Sequence, residues 1–278
     1  MTLEDVQNRP DDREWDIDEV GVTGLRYPIA VWDRDRGKQQ TIAEITMSVG
    51  LPAHLKGTHM SRFVEVLQAD LGELTQQTIP TVLAELRAKL DAPSAQMSLA
   101  FPYFLPRVAP VSGATALMDY QCMFRARTEG SATLFALSVR VPVTSVCPCS
   151  KAISDYGAHN QRGFITIAIT PARDAEGNIA IVWIEELIEI AESAASSPVY
   201  PLLKRSDERH VTMAAYEHPV FVEDMVRAAA VRLRSDDRVA RFVVEAINDE
   251  SIHNHGAFAR LCWPKSAPDS GPRFVEWP

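Results

Sequence analysis

The residues best equipped for chemistry cluster in one stretch, TSVCPCSKAISDYGAHNQRG, which holds two of the four cysteines, Cys147 and Cys149. His159 follows Cys147 by twelve residues, with Lys151, Asp155 and Arg162 nearby. Alternating apolar strands flank the stretch. A plain hairpin turn takes about 2–5 residues, and much longer connections in compact domains are usually functional or disordered. This one is too mixed in composition to be disordered, so it reads as an active-site loop. A thiolate can ligate a metal or attack an electrophile. The ordinary fate of a cysteine is a small buried hydrophobe, but the polar, charged surroundings of Cys147 weigh against that. Pro148 stiffens the C-x-C pair. As a metal signal the pair is weak, because zinc ribbons use two C-x-x-C pairs and the chain has no second pair. Cys122 and Cys262 lie in apolar strands and read as core.

His253 and His255 stand as H-x-H in INDESIHNHGAF. In an extended segment, alternation points both rings to one side, which suits two ligands or a proton-transfer pair. A polar turn is the bland alternative. Glu208 lies in LLKRSDERHVT, and Glu223 and Asp224 open a helical pattern. Carboxylates in a first turn are favoured by the helix dipole, so capping is the default for Glu223 and solvation for Glu208. Lys56, His59, Arg62, Lys151, Arg162, Lys204 and Arg205 together suit an anion-binding surface, although each alone is an ordinary surface charge.

These residues need a scaffold, and 278 residues with 46% apolar content can bury a full core. The net charge of −9 argues against nonspecific nucleic-acid or anionic-membrane binding. No run approaches the roughly 18 apolar residues of a membrane helix. The N-terminus is acidic and lacks a signal peptide's apolar run, so the expected compartment is the cytoplasm, where thiols stay reduced. Residues 1–20 read as a solvated acidic arm, with order beginning near Gly24. GLRYPIAVW and QTIAEITMSVGL read as strands. A helix follows in the stretch after His54, and Thr75 is the expected cap of a second through TIPTVLAELRAKL. Strands follow at 96–108, where Pro102 and Pro106 suggest an edge or irregular strand, and at 115–127.

The order then repeats. Strand 132–143 puts Phe135, Leu137, Val139 and Val141 on one face. FITIAIT aligns Ile165, Ile167 and Ile169. Helix 183–195 gathers Ile184, Leu187, Ile188 and Ala191, and helix 221–234 gathers Val222, Met225, Val226, Ala229 and Leu233. Strands 238–248 and 257–263 close the series. Two runs of β-β-α-α-β-β imply an α+β fold, with helices on one face of antiparallel sheets. One such half is too small to enclose a sizeable pocket, which points to ligand sites at subunit boundaries.

As a set, TSVCPCSKAISDYGAHNQRG, LKGTHMSRF, SPVYPLLKRSDER, PVFVEDMVR and ESIHNHGAFA resemble the signature segments of the type IB GTP cyclohydrolases. The likeness runs from about Gly24 to about Pro264. The resemblance implies the tunnelling fold, with two fused modules. The chain then divides into an acidic arm (1–23), a first module (24–130), a second module with the Cys/His loop (131–264) and an irregular tail (265–278). It implies conversion of GTP and water to 7,8-dihydroneopterin triphosphate and formate, the entry to tetrahydrofolate biosynthesis. It also implies a homotetramer with active sites at subunit interfaces.

By the same resemblance, each subunit holds one divalent ion (zinc, manganese or iron) through Cys147, His159 and Glu208. Cys147, His253 and His255 are then catalytic, and Glu223 takes the guanine edge. Lys204, Lys151, Arg162 and His59 bind the rest of the nucleotide. Met213 stands where relatives often carry an acid. The competing reading is an NADPH-dependent nitrile reductase of the same fold, with Cys147 as covalent nucleophile and no metal.

Overall fold

The structure, a computed structural model, describes residues 7, 9–69, 74–130 and 132–264. The expected tail at 265–278 and residues 1–6 and 8 of the expected arm lie outside the described residues. The chain forms two compact units, Met1–Phe101 with Met123–Ala136, and Pro102–Cys122 with Leu137–Pro278.

In the first unit, β1 (Ile17–Asp33) pairs antiparallel with β2 (Gly37–Leu51), and β2 pairs antiparallel with β3 (Ser94–Val108) over Glu44↔Ala100 to Val49↔Ala95. Strand β1 starts at Ile17, ahead of the expected start near Gly24. Its polar first residues find partners at the far end of β2, where Ile17 faces Leu51, with register shifts before Val20 and before Leu25. Strand β3 lies between β2 and β4 (Thr115–Glu129), but its pairing with β2 ends at Ala100, so the proline-bearing stretch lies beyond that ladder and is edge-like on that side, as expected. Pro102 and Pro106 are accommodated because they fall past Ala100, the last residue paired with β2. Helices α1 (Met60–Ala69) and α2 (Ile79–Leu90) pack on each other. The N-cap of α2 is Thr78, not Thr75. The Thr75 hydroxyl instead accepts from Gln77 N and Thr78 N, both at 3.3 Å, in the preceding turn.

The second unit contains most of β5 (Ala132–Val146), and then α3 (Pro148–Ile153), β6 (Asn160–Pro171), α4 (Ile184–Ala194), β7 (Ser197–Pro198), α5 (Arg205–Glu217), α6 (Val222–Arg234), β8 (Val239–Asp249) and β9 (Gly256–Trp263). The strands run β5-β6-β8-β9, all antiparallel, with β7 paired to β5. The apolar periods fall as the sequence requires. Phe135, Leu137, Val139, Val141, Ile165, Ile167 and Ile169 are buried, as are the predicted faces of α4 and α6. Helix α4 packs on β6 and α6, and α6 packs on β8 and β9. Helix α5 was not expected, because its sequence is polar enough to read as a loop; only Asp207 and Ala215 are buried.

Asp207 explains why α5 sits where it does. It is fully buried, and it accepts hydrogen bonds from Val111 N, Ser112 N and Lys204 N, each at 2.8 Å, and from Ser112 Oγ at 2.6 Å. One carboxylate thus caps α5 and ties it to the turn after β3. Burial pushes this carboxyl up, but the donors around it outweigh burial and hold it well below the usual range. A carboxyl depressed on folding stabilises the protein above the unfolded pKa, about 3.9 for aspartate, and the contribution fades as pH falls through the folded value. Asp207→Ala should therefore lower the thermal midpoint at neutral pH, with the gap to the parent narrowing in strong acid. Equal midpoints at pH 7 would contradict this account.

Candidate active site

The β5–β6 ladder runs to Val146↔Asn160. One step further, Cys147 N–H donates to His159 C=O at 3.1 Å and closes the mouth of the hairpin. Directly opposed residues in an antiparallel pair project to the same side, with Cβ atoms about 4.5–5.5 Å apart. Alternation identifies that side. Ser145 and Gln161, two residues inward on each strand, are buried, whereas Arg162 is exposed. Cys147 and His159 thus stand at the rim of the buried face, each half-buried.

The expected loop is a short helix stitched to this mouth. Cys147 is the N-cap of α3, and its Sγ accepts from Ser150 N at 3.4 Å. Ser150 Oγ in turn accepts from His159 N at 3.0 Å. Cys149 is exposed, as are Ile153 and Tyr156 beyond it.

The β8–β9 connection meets the same place. His159 Nδ1 lies 3.0 Å from Gln161 Oε1 and 3.2 Å from Ser251 Oγ. Gln161 Nε2 donates to Glu250 Oε1 at 3.4 Å. In the same connection the His253 and His255 rings stack with centroids 5.0 Å apart and planes 16° apart. The two rings do lie together, but the segment is an exposed run of bends and not the extended strand that alternation assumes.

Helix α6 approaches through the loop before it, and α5 through its last turn. Val220 N donates to Val146 O at 3.2 Å, next to Cys147. Lys151 donates to the carbonyl of Tyr216 and lies 4.2 Å from the centre of its ring, fastening α3 to the end of α5. Lys151 is therefore engaged with the protein itself. Arg162 and Lys204 are exposed. His59 belongs to the first unit, in the segment before α1, where its carbonyl accepts from Arg62 N.

Capping of α6 falls to Asp224, whose Oδ2 accepts from Phe221 N at 3.1 Å, and not to Glu223. Aspartate at the third helical position reaches back to the cap in both helices, so Glu208 and Glu223 beside those aspartates remain exposed. Glu223 lines an open pocket of about 630 Å³ together with Arg227, Arg260 and Cys262. Cys262 is exposed, not core, because alternate residues of the outer strand β9 face outward. Met213 lies five residues past Glu208 on α5, which at 3.6 residues per turn is a different face.

Among the described residues, no three His, Cys, Asp or Glu side chains gather closely enough to hold an ion. Cys147 and His159 nevertheless suit a metal by chemistry: a sulfur with a single amide donor, and an imidazole whose Nδ1 is already occupied. Sequence reasoning missed Gln161 and Asp207. The signals were available in Gln161's place two residues after His159, hence on one strand face, and in an acid three residues after a helix start.

The antiparallel α+β architecture is the tunnelling fold shared with urate oxidases. The uricase of Arthrobacter globiformis superposes with a TM-score of 0.54 over 92% of this chain and 96% of that one, at 7% identity. A urate oxidase mutant from Bacillus sp. TB-90 gives 0.53 over 88% and 99%, at 10% identity. The sequence is more specific. A family model described as type I GTP cyclohydrolase folE2 matches residues 3–259. GTP cyclohydrolase FolE2 of Methylococcus capsulatus is 48% identical over 97% of this chain and 98% of its own. That of Citrifermentans bemidjiense is 50% identical over 94% of each. The chain belongs to the type I GTP cyclohydrolase FolE2 family.

Gly163 pairs with Asn248, and the Asn248 side chain passes over it to donate to Ser145 Oγ at 2.9 Å. A Cβ on residue 163 would collide with Asn248 Oδ1 and come within 2.8 Å of Ile247 O. Gly163→Ala should cost about 1–3 kcal/mol in denaturant unfolding, the usual penalty of overpacking. An unchanged midpoint would contradict that packing.

Proposed function

We propose that this protein is a metal-dependent GTP cyclohydrolase I, converting GTP and water to 7,8-dihydroneopterin triphosphate and formate at the mouth of the β5–β6 hairpin. Membership of the FolE2 family supports the reaction. The observation that carries the site is the Cys147–His159 pairing beside the stacked His253 and His255.

Cys147, His159 and Glu208 would hold one divalent ion. When bound, such an ion supplies Lewis acidity and a nucleophilic water near neutral pH. Zinc suits all three donors, and the carboxylate also admits manganese or iron. Glu208 is exposed and released from capping, and the Lys151–Tyr216 contact fixes the far end of its helix relative to Cys147. The His253–His255 pair would deliver a proton to N7 of the guanine and move protons as the imidazole ring opens. Glu223, at the start of α6, would accept from N1–H and the exocyclic amine of guanine, a bidentate match. Arg162 and Lys204 would act on the triphosphate as cations, with His59 as a further nucleotide contact, and Lys151 would join them by exchanging its bond to the Tyr216 carbonyl for one to the nucleotide.

Ile153, Tyr156, Ile252 and Phe258 are 84%, 97%, 65% and 71% exposed around these segments. A homotetramer with active sites where subunits meet is part of the proposal, and in it these side chains would be covered by neighbouring subunits. The division into arm, two modules and tail at 23, 130 and 264 goes with that reading. No helix among the described residues is long and apolar enough to cross a membrane, and a cytoplasmic location is part of the proposal. The nitrile reductase alternative has no support in the relatives reported, and it leaves His159 and the His253–His255 pair without a task.

Purified protein with GTP should release formate and a product that oxidises to a fluorescent pterin. Chelation should abolish turnover, and manganese or zinc should restore it. Cys147→Ala should lose both bound metal and activity, and a Cys147→Ala protein that keeps both would refute the site. His253→Ala should lower kcat by about 10²–10⁴-fold, the span of general acid–base catalysis, with the metal retained; an unchanged kcat would remove His253 from the proton path.

A further inference from the structure

We infer that Gln161 is a positioning residue that fixes the tautomer of His159, with the charge of Glu250 setting the direction of the relay. This inference rests on the reading of His159 as a metal ligand.

Every link follows from donor and acceptor chemistry. An ionised carboxylate can only accept hydrogen bonds. Glu250 Oε1 lies 3.4 Å from the Gln161 side chain, so the amide must turn its NH2 toward Glu250. The opposite orientation would set the amide carbonyl against a carboxylate oxygen. With the NH2 so committed, Gln161 presents Oε1 to His159 Nδ1 at 3.0 Å. A carbonyl oxygen only accepts, so Nδ1 must carry the hydrogen. The neutral imidazole then has its lone pair on Nε2. Ser251 Oγ, 3.2 Å from the same Nδ1, is a rotatable hydroxyl that can serve as donor or acceptor and imposes no choice.

Burial gives the relay its force. Gln161 is 7% exposed, so its amide has few alternative partners. Strand geometry supplies the placement, since residues two apart share a face. Beneath it, Ser145 and Asn248 bond across Gly163 and fix the three strands that carry Cys147, His159 and Glu250. A ligating histidine whose second nitrogen donates to a carbonyl is held in orientation and made more basic, and loss of such a partner typically costs 10–100-fold in metal affinity or activity.

The test uses full-length protein and zinc, with affinity read by competition against a chromophoric chelator. Gln161→Leu should weaken zinc by about 10–100-fold at unchanged stoichiometry, and kcat should fall with KM for GTP little changed. Gln161→Glu combined with Glu250→Gln, which exchanges the two groups so that an amide NH2 still faces a carboxylate and an acceptor still faces Nδ1, should recover most of the affinity. Imidazole 15N shifts of the metal-free full-length protein should show His159 protonated at Nδ1 in the parent and shifted toward the Nε2–H form in Gln161→Leu. His159→Ala is the control. If it binds zinc as the parent does, the ligand reading falls. If it loses zinc while Gln161→Leu matches the parent in affinity and imidazole shifts, the Gln161 inference falls and the ligand reading stands. Should Gln161→Leu fold poorly, Glu250→Gln serves in its place. It lets the amide turn either way and should show a mixed His159 tautomer, and a parent-like spectrum would overturn the relay.

Discussion

The site depends on one backbone hydrogen bond, from Cys147 N to His159 O, which closes the hairpin mouth. It brings a thiol and an imidazole separated by eleven residues into direct opposition. The residues between them cannot be an open loop, because the mouth is only two strands wide. They fold instead into a short helix that begins on Cys147, with Ser150 bonded to both sides. The reactive pair is thus held by strand register, which is stiffer than a loop could provide.

A second constraint governs the acids. Helices α5 and α6 both open on an aspartate that reaches back to the cap. A short side chain at that position is spent on backbone, and the adjacent glutamate is left exposed. Glu208 and Glu223 are therefore available for an ion and a guanine ring, while Asp207 and Asp224 hold their helices in place. The same division lets Asp207 lock the turn after β3 against α5 without using Glu208.

Much of this was legible in the sequence. The strands flanking the active loop and the apolar stripes of α4 and α6 follow from period and alternation, whereas His253 and His255 come together in a run of bends that strand alternation does not describe. Cys147 and His159 stood out by composition, and the family resemblance selected them. Helix α5 escaped because it buries so little: its position comes from the tertiary bonds of Asp207, which no periodicity records. Strand β1 begins early because a polar segment gains backbone partners on β2, and hydropathy cannot show that. Cys262 was misplaced because the outer strand's alternation, not its apolar composition, decides which side chains face solvent. Gln161 was overlooked because an amide carries no chemistry of its own, and its importance appears only once Glu250 is seen behind it.

The central claim is that the sulfur of Cys147 and the imidazole of His159 grip the same ion. X-ray absorption at the zinc edge of the zinc-loaded protein tests it most directly. The account predicts one sulfur scatterer at about 2.3 Å and at least one imidazole nitrogen at about 2.0–2.1 Å, the usual zinc distances. A shell built from oxygen and nitrogen alone, with no sulfur, would contradict it.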